Sequence, residues 1–232
     1  MPTTKRAKPR ARPRAKARTA LSRERVLRAA LALADTVGTE TPTMRRLAEV
    51  LGVAPMALYR HVANKDDLVD GLVDLVFGQI DLPPSGTDWK TAMRARAISA
   101  REVLARHPWA VALMESRRNP GPTTLRHHDA VLASLRQSGF SVAMAAHAYS
   151  VLDSYIYGFA LGQKSLPFDA SNVAEVAQSM LKVFPVDAYP YLAEIMFEHV
   201  MKAGYDYGNE FEIGLDLILN GLDRTLSGTP HG

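Results

Sequence analysis

Apolar residues recur along most of this chain at intervals of three and four, the period of helices with one buried face. Val26, Leu27, Ala30, Leu31 and Ala34 form the first such stripe, opened by Ser22 as an N-cap and closed by Gly38. A second, shorter stripe of Leu47, Ala48 and Leu51 lies between Thr43 as its cap and Gly52 as its stop. Pro55 opens a third helix, where a missing first-turn N–H costs nothing, and that helix is predicted to run through Tyr59 and His61. Asn64 caps a fourth, whose first turn holds Asp66 and Asp67 and whose apolar face is Leu68, Leu72, Leu75 and Val76. Residues 81–88 (Asp-Leu-Pro-Pro-Ser-Gly-Thr-Asp) break the pattern as linker and turn. Helical spacing then resumes and predicts helices near 88–106, 108–116, 122–138, 141–164, 171–183, 188–203 and 208–226. Pro108 and Pro122 are read as first-turn prolines, Gly139 as a stop, and Ser141 and Ser171 as caps. No stretch alternates with the period of two that a strand needs, and no repeat of solenoid length is present. The predicted fold is all-α, with a small helical head over 21–80 and a larger helical body over 81–232.

Composition narrows the classes. At 232 residues, 47% hydrophobic and 22% charged, the chain can bury a core as one large domain or two small ones. With no cysteine there is no disulfide scaffold, thiol nucleophile or thiolate metal site. No apolar run approaches the ~18 residues of a membrane span, so no membrane partner is expected. The N-terminus lacks the apolar stretch of a secretory signal, although its Arg-rich, acid-poor composition is shared with transit peptides.

The net charge of +4 is a difference of large parts. Residues 1–20 carry eight Lys/Arg and no acid (+8), residues 21–65 seven and four (+3), and residues 66–232 thirteen and twenty (−7). A polyanion would meet the first 65 residues and be repelled by the rest. The prolines and alternating charges of residues 1–20 leave nothing to bury, so this tail is expected to be disordered. It is either a solvated leader or an arm that touches DNA, and the sequence leaves both open.

The segment from Thr43 to Val62 joins two short helices through Gly52, with Ala48 where they must approach closely. That is the helix-turn-helix pattern, whose second helix enters the major groove. Pro55, Met56, Tyr59, Arg60 and His61 fall on its outward side.

These residues carry a family resemblance. Thr-Met-Arg-Arg-Leu-Ala-Glu-Val-Leu-Gly-Val from residue 43, then Leu58-Tyr59-Arg60-His61-Val62, Asn64-Lys65 and Leu68, resemble the TetR family of bacterial transcriptional regulators. Trp89, Arg106-His107-Pro108, Gly139-Phe140-Ser141, Tyr155 with Gly158, and Phe211 to Leu222 resemble the body of its tetracycline-repressor subgroup. The likeness spans most of 22–226, densely in the head and sparsely in the body; the tail lies outside it. It implies a cytoplasmic, bacterial protein, nucleoid-associated when on DNA, binding a palindromic double-stranded operator as a homodimer and released by a small molecule.

By that resemblance, Thr43, His61 and Lys65 would hold phosphates, and Arg45, Pro55, Met56 and Tyr59 would face bases, with Ala57 on the same helix. Arg45 can reach a guanine edge bidentately, worth about 1–3 kcal/mol of discrimination. Pro55 and Met56 donate no side-chain hydrogen bond and would read shape or a thymine methyl. Arg60 serves either a phosphate or a neighbouring acid.

The helix at 141–164 is apolar on more than one face, which calls for cover on several sides. With the last helix it looks like the family's dimer-forming pair, through Ala148, Leu152, Tyr155 and Phe159 and through Leu215, Ile218, Leu219 and Leu222. The expected body is therefore a ligand-binding and dimerisation unit. Polar groups on otherwise apolar helices are candidates to line its ligand site: Arg96, Arg117, His127, His147, Ser150, Ser154 and Tyr155, with Met114 and Val131 beside them.

His127 and His128 are adjacent and cannot face one ligand from a helix, so no metal site is predicted, nor any cofactor. Where tetracycline repressors place a histidine on the drug's magnesium, this chain has Met114 at or near the position. Asp81 stands where another histidine is expected, so an effector other than tetracycline–magnesium is expected.

Two other classes compete. A weakly sequence-specific, nucleoid-type DNA coater would be driven by the basic tail. An enzyme would need a nucleophile, metal or phosphate-loop constellation; none stands out, and His147 with Asp153 is a weak pair. No catalytic residue is predicted.

Overall fold

A computed structural model of the chain describes residues 20–38, 42–114, 116–168, 171–182 and 184–228. The basic tail expected to be disordered thus lies, but for Ala20, outside the described residues. The helices are α1 (Arg23–Val37), α2 (Met44–Leu51), α3 (Pro55–Leu58), α4 (Lys65–Phe77), α5 (Trp89–Arg106), α6 (Val111–Met114), α7 (Pro122–Gln137), α8 (Val142–Ser165), α9 (Val173–Leu181), α10 (Pro190–Ile195) and α11 (Glu210–Gly228). There is no strand among the described residues. No helix among them is long and apolar enough to cross a membrane.

Local chemistry sets most boundaries. Ser22, Thr43, Asn64, Asp88 and Ser141 each accept a backbone N–H of the first turn they precede. Gly38 and Gly52 end α1 and α2 in the left-handed region, at φ 77° and 65°.

Four predicted helices differ. The third stops at Leu58: the next residues turn back, with His61 and Val62 N–H both donating to Leu58 O (2.8 and 3.0 Å). Val62 must be buried and Asn64 must be extended to cap α4, which leaves no room for another turn. The segment after Pro108 begins as a 3₁₀ turn (Pro108–Ala110) before α6. Asn172, not Ser171, holds the cap position of α9. The helix expected over 188–203 is split, because α10 widens into a π-helical turn at Met196–Val200.

Head and body share one core. It runs from Val26, Leu47 and Leu58 through Leu72 and Phe77 of α4 to Leu104, Leu152 and Leu219. In the head α1 packs on α2 and α4; in the body α5 packs on α8, which is flanked by α7 and α11. The two parts are also pinned at a part-buried polar joint. His107 Nδ1 and Trp109 Nε1 both meet Asp35 Oδ1 of α1 (2.6 and 2.8 Å), while His107 Nε2 meets Gln79 Oε1 just past α4 (3.1 Å).

The helices α8 and α11 touch through aromatic rings and a glycine. Tyr155 stacks on Phe211 (5.3 Å between centroids) and donates to Phe211 O (2.9 Å). A Cβ at Gly214 would collide with the Tyr155 hydroxyl and ring. Gly214→Ala gains about 1 kcal/mol of helix propensity. It should nevertheless lose about 1–3 kcal/mol through the displaced ring, and urea denaturation should show a net loss of stability.

Candidate nucleic-acid interface and effector cavity

The head presents an exposed turn between α2 and α4. Leu47, Ala48, Leu58 and Val62 are buried beneath it, and Val53 N–H donates to Ala48 O to close the corner between α2 and α3. Pro55, Met56, Tyr59 and Arg60 are exposed, Met56 at 74% and Tyr59 at 44%; Ala57 and the His61 side chain are half-buried. Thr43 and Lys65 are exposed at the N-termini of α2 and α4, where backbone N–H groups and the helix dipole suit an anion. Arg45 is exposed on α2, 3.5 Å from Glu49, which also takes Arg46 at 3.1 Å. Such exposed pairs are worth about 0.2–1 kcal/mol, less than a bidentate guanine contact, so Arg45 is free to exchange its partner. Among the described residues no carboxylate pairs with Arg60; the head's ion pairs run through Arg23, Arg28, Arg45 and Arg46.

Arg23, which the sequence did not single out, holds this turn in place. Its guanidinium forks onto Asp67 (2.9 and 2.6 Å) and also donates to His61 O (2.9 Å). Asp67 in turn accepts from Ala63 N–H (2.7 Å). The Arg23 hydrogen bonds are the main cause that keeps the Asp67 carboxyl below its usual pKa.

Behind the head, α4 carries Asp66, Asp70 and Asp74 at intervals of four, on one face, and all three engage the body. Arg117 donates to Asp70 through Nε (2.7 Å) and to Asp66 through Nη2 (3.4 Å). Asp74 accepts from the N–H and hydroxyl of Thr124 (2.8 and 3.0 Å) in the first turn of α7. Gly121 sits at that helix's cap position without a side chain, and a Cβ there would collide with Asp74. Asp74 therefore caps α7 from across the interface. Between these contacts lies a cavity of about 180 Å³, lined by Asp70, Val73, Met114, Arg117, Thr124 and His128 among others.

A buried polar cluster adjoins it. Arg96, His127 and Asp153 are each no more than 3% exposed. Arg96 Nη1 pairs with Asp153, and Arg96 Nε donates to His127 Nε2 (3.1 Å). That bond places the His127 proton on Nδ1. His127 Nδ1, Arg96 Nη2 and His128 Nε2 are buried with no hydrogen-bond partner. Phe77 at the end of α4 packs against both imidazoles, 5.5 and 5.1 Å between centroids. Burial first, then Arg96, pushes His127 down to about 3; burial also lowers His128. Both are neutral at pH 7.

The expected ligand residues therefore separate. Met114 and Arg117 line the cavity, while Arg96 and His127 lie in the buried cluster with Asp153, His128 and Tyr157, of which Asp153 had been read only as a weak partner for His147. Val131 is sealed in the core. Tyr155 ties α8 to α11. His147, Ser150 and Ser154 lie apart from both, on the exposed face of α8, turned from the interior that holds Asp153 and Tyr157. The residues expected at the dimer interface divide by burial in the single chain. Ala148, Leu152, Leu215 and Leu219 are at most 1% exposed and Phe159 and Leu222 below 10%, so the chain's own core uses them. Tyr155 and Ile218 are half-buried. Apolar side chains left exposed on these helices include Val142, Val151 and Leu161 on α8 and Ile213 and Leu217 on α11.

Comparison with known proteins places this architecture. Residues 26–72 match the family model described as bacterial regulatory proteins, tetR family, and residues 82–226 match the tetracyclin repressor-like C-terminal domain. The chain belongs to the TetR family. It is accordingly a DNA-binding transcriptional regulator. An HTH-type transcriptional regulator of Saccharopolyspora erythraea is 31% identical, covering 88% of this chain and 86% of the relative. The tetracycline repressor protein class C of Escherichia coli is 32% identical over 88% and 91%. Among solved structures, the TetR-family ActR of Streptomyces coelicolor in complex with actinorhodin has a TM-score of 0.73 at 26% identity, covering 91% of this chain and all of that one. Family membership favours a regulator over the tail-driven DNA coater.

The buried neutral state of His127 in this TetR-family body has a consequence for stability. Its folded pKa lies below the unfolded value of about 6.5, so its contribution is complete above pH 6.5 and is lost as pH falls towards 3. Between pH 6.5 and 5, where most carboxylates stay ionised, the loss should approach about 2 kcal/mol. Denaturant titrations should show His127→Gln with a shallower decline over that window than the parent chain.

Proposed function

We propose that this chain is a homodimeric repressor of a palindromic operator, released when a small molecule enters the body of each protomer. The observation that carries the reading is the continuity of α4, which begins at the exposed turn of the head and ends against the cavity and the buried imidazoles. An effector that displaces Arg117 from Asp70, or Phe77 from the histidines, moves α4 and the head with it. It acts only if it binds the shifted arrangement more tightly than the DNA-bound one. Two heads then no longer match major grooves about 34–36 Å apart.

The cavity and cluster suggest the effector's chemistry. Their apolar part is Val73, Met114 and the Phe77 ring, and their polar part is rich in donors: Arg117, Thr124, and the unpartnered Arg96 Nη2 and His127 Nδ1. A largely apolar molecule bearing hydrogen-bond acceptors such as carbonyls fits that set. The ActR structure with actinorhodin shows a relative of this fold holding a small molecule.

Arg45 and Tyr59 would read bases, Pro55, Met56 and Ala57 would fit the groove, and Thr43, Arg60, His61 and Lys65 would hold phosphates. Tyr59→Ala should abolish shifts of operator DNA in a gel while leaving the oligomeric state unchanged; retained specific shifts would remove α3 from the reading role. The dimer would form through the free faces of α8 and α11. Leu217→Asp, at a side chain 70% exposed in the single chain, should convert the protein to a monomer in sedimentation without lowering its helix content.

A further inference from the structure

The C-terminal halves of α5 and α8 enclose a hollow separate from the cavity beside α4. Arg101, Leu104, Ala105 and Pro108 succeed one another at intervals of three, one and three, on one face of α5 and the turn after it. Ala160, Gln163 and Lys164 face them from α8. The hollow is about 110 Å³ and shares no lining residue with the cavity that holds Arg117. Small side chains at Ala105 and Ala160, each one turn from a cation, leave the space.

Its charge runs against that of the acidic body. Both ionic side chains that line it, Arg101 and Lys164, are cations. Among the described residues the body's ion-paired Lys and Arg are Lys90, Arg94, Arg96, Arg117 and Lys202, and neither cation of the hollow joins them. Glu102, next to Arg101 on α5, is exposed and lines no part of the hollow. Asp206 turns its carboxylate to Gly208 N–H (2.8 Å).

Arg101 is also held in place. Its guanidinium lies over the rings of Phe159 and Phe211, 5.3 and 5.0 Å from their centroids. Gly208 makes room for it, since a Cβ there would collide with Nη2. Its hydrogen bonds are two stretched ones, from Nε and Nη2 to Gln163 Oε1, at 3.4 and 3.5 Å. A planar donor fork that is oriented by two rings, partly shielded from water and short of an acceptor matches a carboxylate.

We infer that this hollow is a second small-molecule site, one that takes a small organic acid. The carboxylate meets Arg101, with Lys164 at the rim, and the hydrocarbon part lies against Leu104, Ala105, Pro108 and Ala160. An inorganic anion such as phosphate would leave oxygens unmatched against those apolar walls. The volume is below the roughly 300–1,000 Å³ of a drug-sized pocket, so the acid has a single ring or a short chain. The site borders two other features: Arg101 reaches α11 through Phe211, and Pro108 follows His107 of the joint with the head.

The test titrates sodium benzoate into the full chain by calorimetry, with benzamide and sodium phosphate as controls. Benzoate should bind saturably, once per protomer, and more tightly than benzamide, which has the ring without the charge, or phosphate, which has the charge without the ring. Lys164→Gln, at an exposed position, should weaken benzoate about twofold to fivefold. Arg101→Gln should weaken it about tenfold to a hundredfold, through lost charge-assisted hydrogen bonds. Ala105→Glu, also at an exposed position, sets a carboxylate one turn from Arg101 and should abolish binding. Arg101 packs on core rings, so if Arg101→Gln does not fold, Ala105→Glu and Lys164→Gln decide. Absence of saturable binding overturns the site. Equal binding of benzamide overturns the carboxylate's role, and equal binding of phosphate overturns that of the apolar walls. Benzoate binding that survives Ala105→Glu but is lost in Arg117→Gln puts the acid in the cavity beside α4 and overturns the proposal.

Discussion

The contact on which the rest depends is the row of carboxylates on α4. Asp66, Asp70 and Asp74 lie on a helix with two tasks: its N-terminus buttresses the exposed turn of the head, and its length is bonded to the body. The Asp74 bond supplies the cap that α7 lacks, at a place where a Cβ on Gly121 would collide with the carboxylate. A carboxylate accepting a helix-terminal N–H is a charge-assisted bond in a partly buried place, and its loss leaves orphan donors at the end of α7. Arg117 is the more adjustable partner, reaching one exposed and one shielded carboxylate beside an open cavity. The helix is thus held to the body at two points of different exposure.

The second constraint is the joint made by His107 and Trp109 on Asp35. It ties α1 to the body independently of α4. The head is therefore attached to the body at two separate places. Behind both lies the Arg96–Asp153 pair. Removing one member of such a buried pair costs about 3–5 kcal/mol through the charge left behind, so Arg96 and Asp153 fix the inner wall while His127, neutral and short of a partner on Nδ1, faces the change. A buried ion pair, an unpartnered imidazole nitrogen and the end of α4 meet in one place.

Legibility followed the range of the interactions. Caps and stops at Ser22, Gly38, Thr43, Gly52, Asn64 and Ser141 are local, acting within one turn, and could be read from residue type and spacing. So could the exposure of Met56 and Tyr59 above buried Leu58 and Val62, because helical period and burial agree over so short a segment. The end of α3 was less legible, since burial of Val62 and the cap of the next helix outweighed its own propensity. The spacing of Asp66, Asp70 and Asp74 was visible, but one-sided acids on a helix are usually solvated, and only Arg117 and Thr124 give them a purpose.

The chain's sequence alone determined its helical class, its division into a basic leading part and an acidic body, and the family to which its motifs point. Those properties rest on composition and on contacts between near neighbours. Which face of α8 and α11 stays free was decided by the tertiary structure. A helix as apolar all round as α8 offers several equivalent stripes, and only the packing of α5, α7 and α11 spends some of them. For the same reason Ala148, Leu152, Leu215 and Leu219 became core while Val151, Leu161, Ile213 and Leu217 remained outside. The burial of Arg96 and Asp153 against each other, 57 positions apart, likewise exists only once three helices meet, because neither charge can leave water without the other.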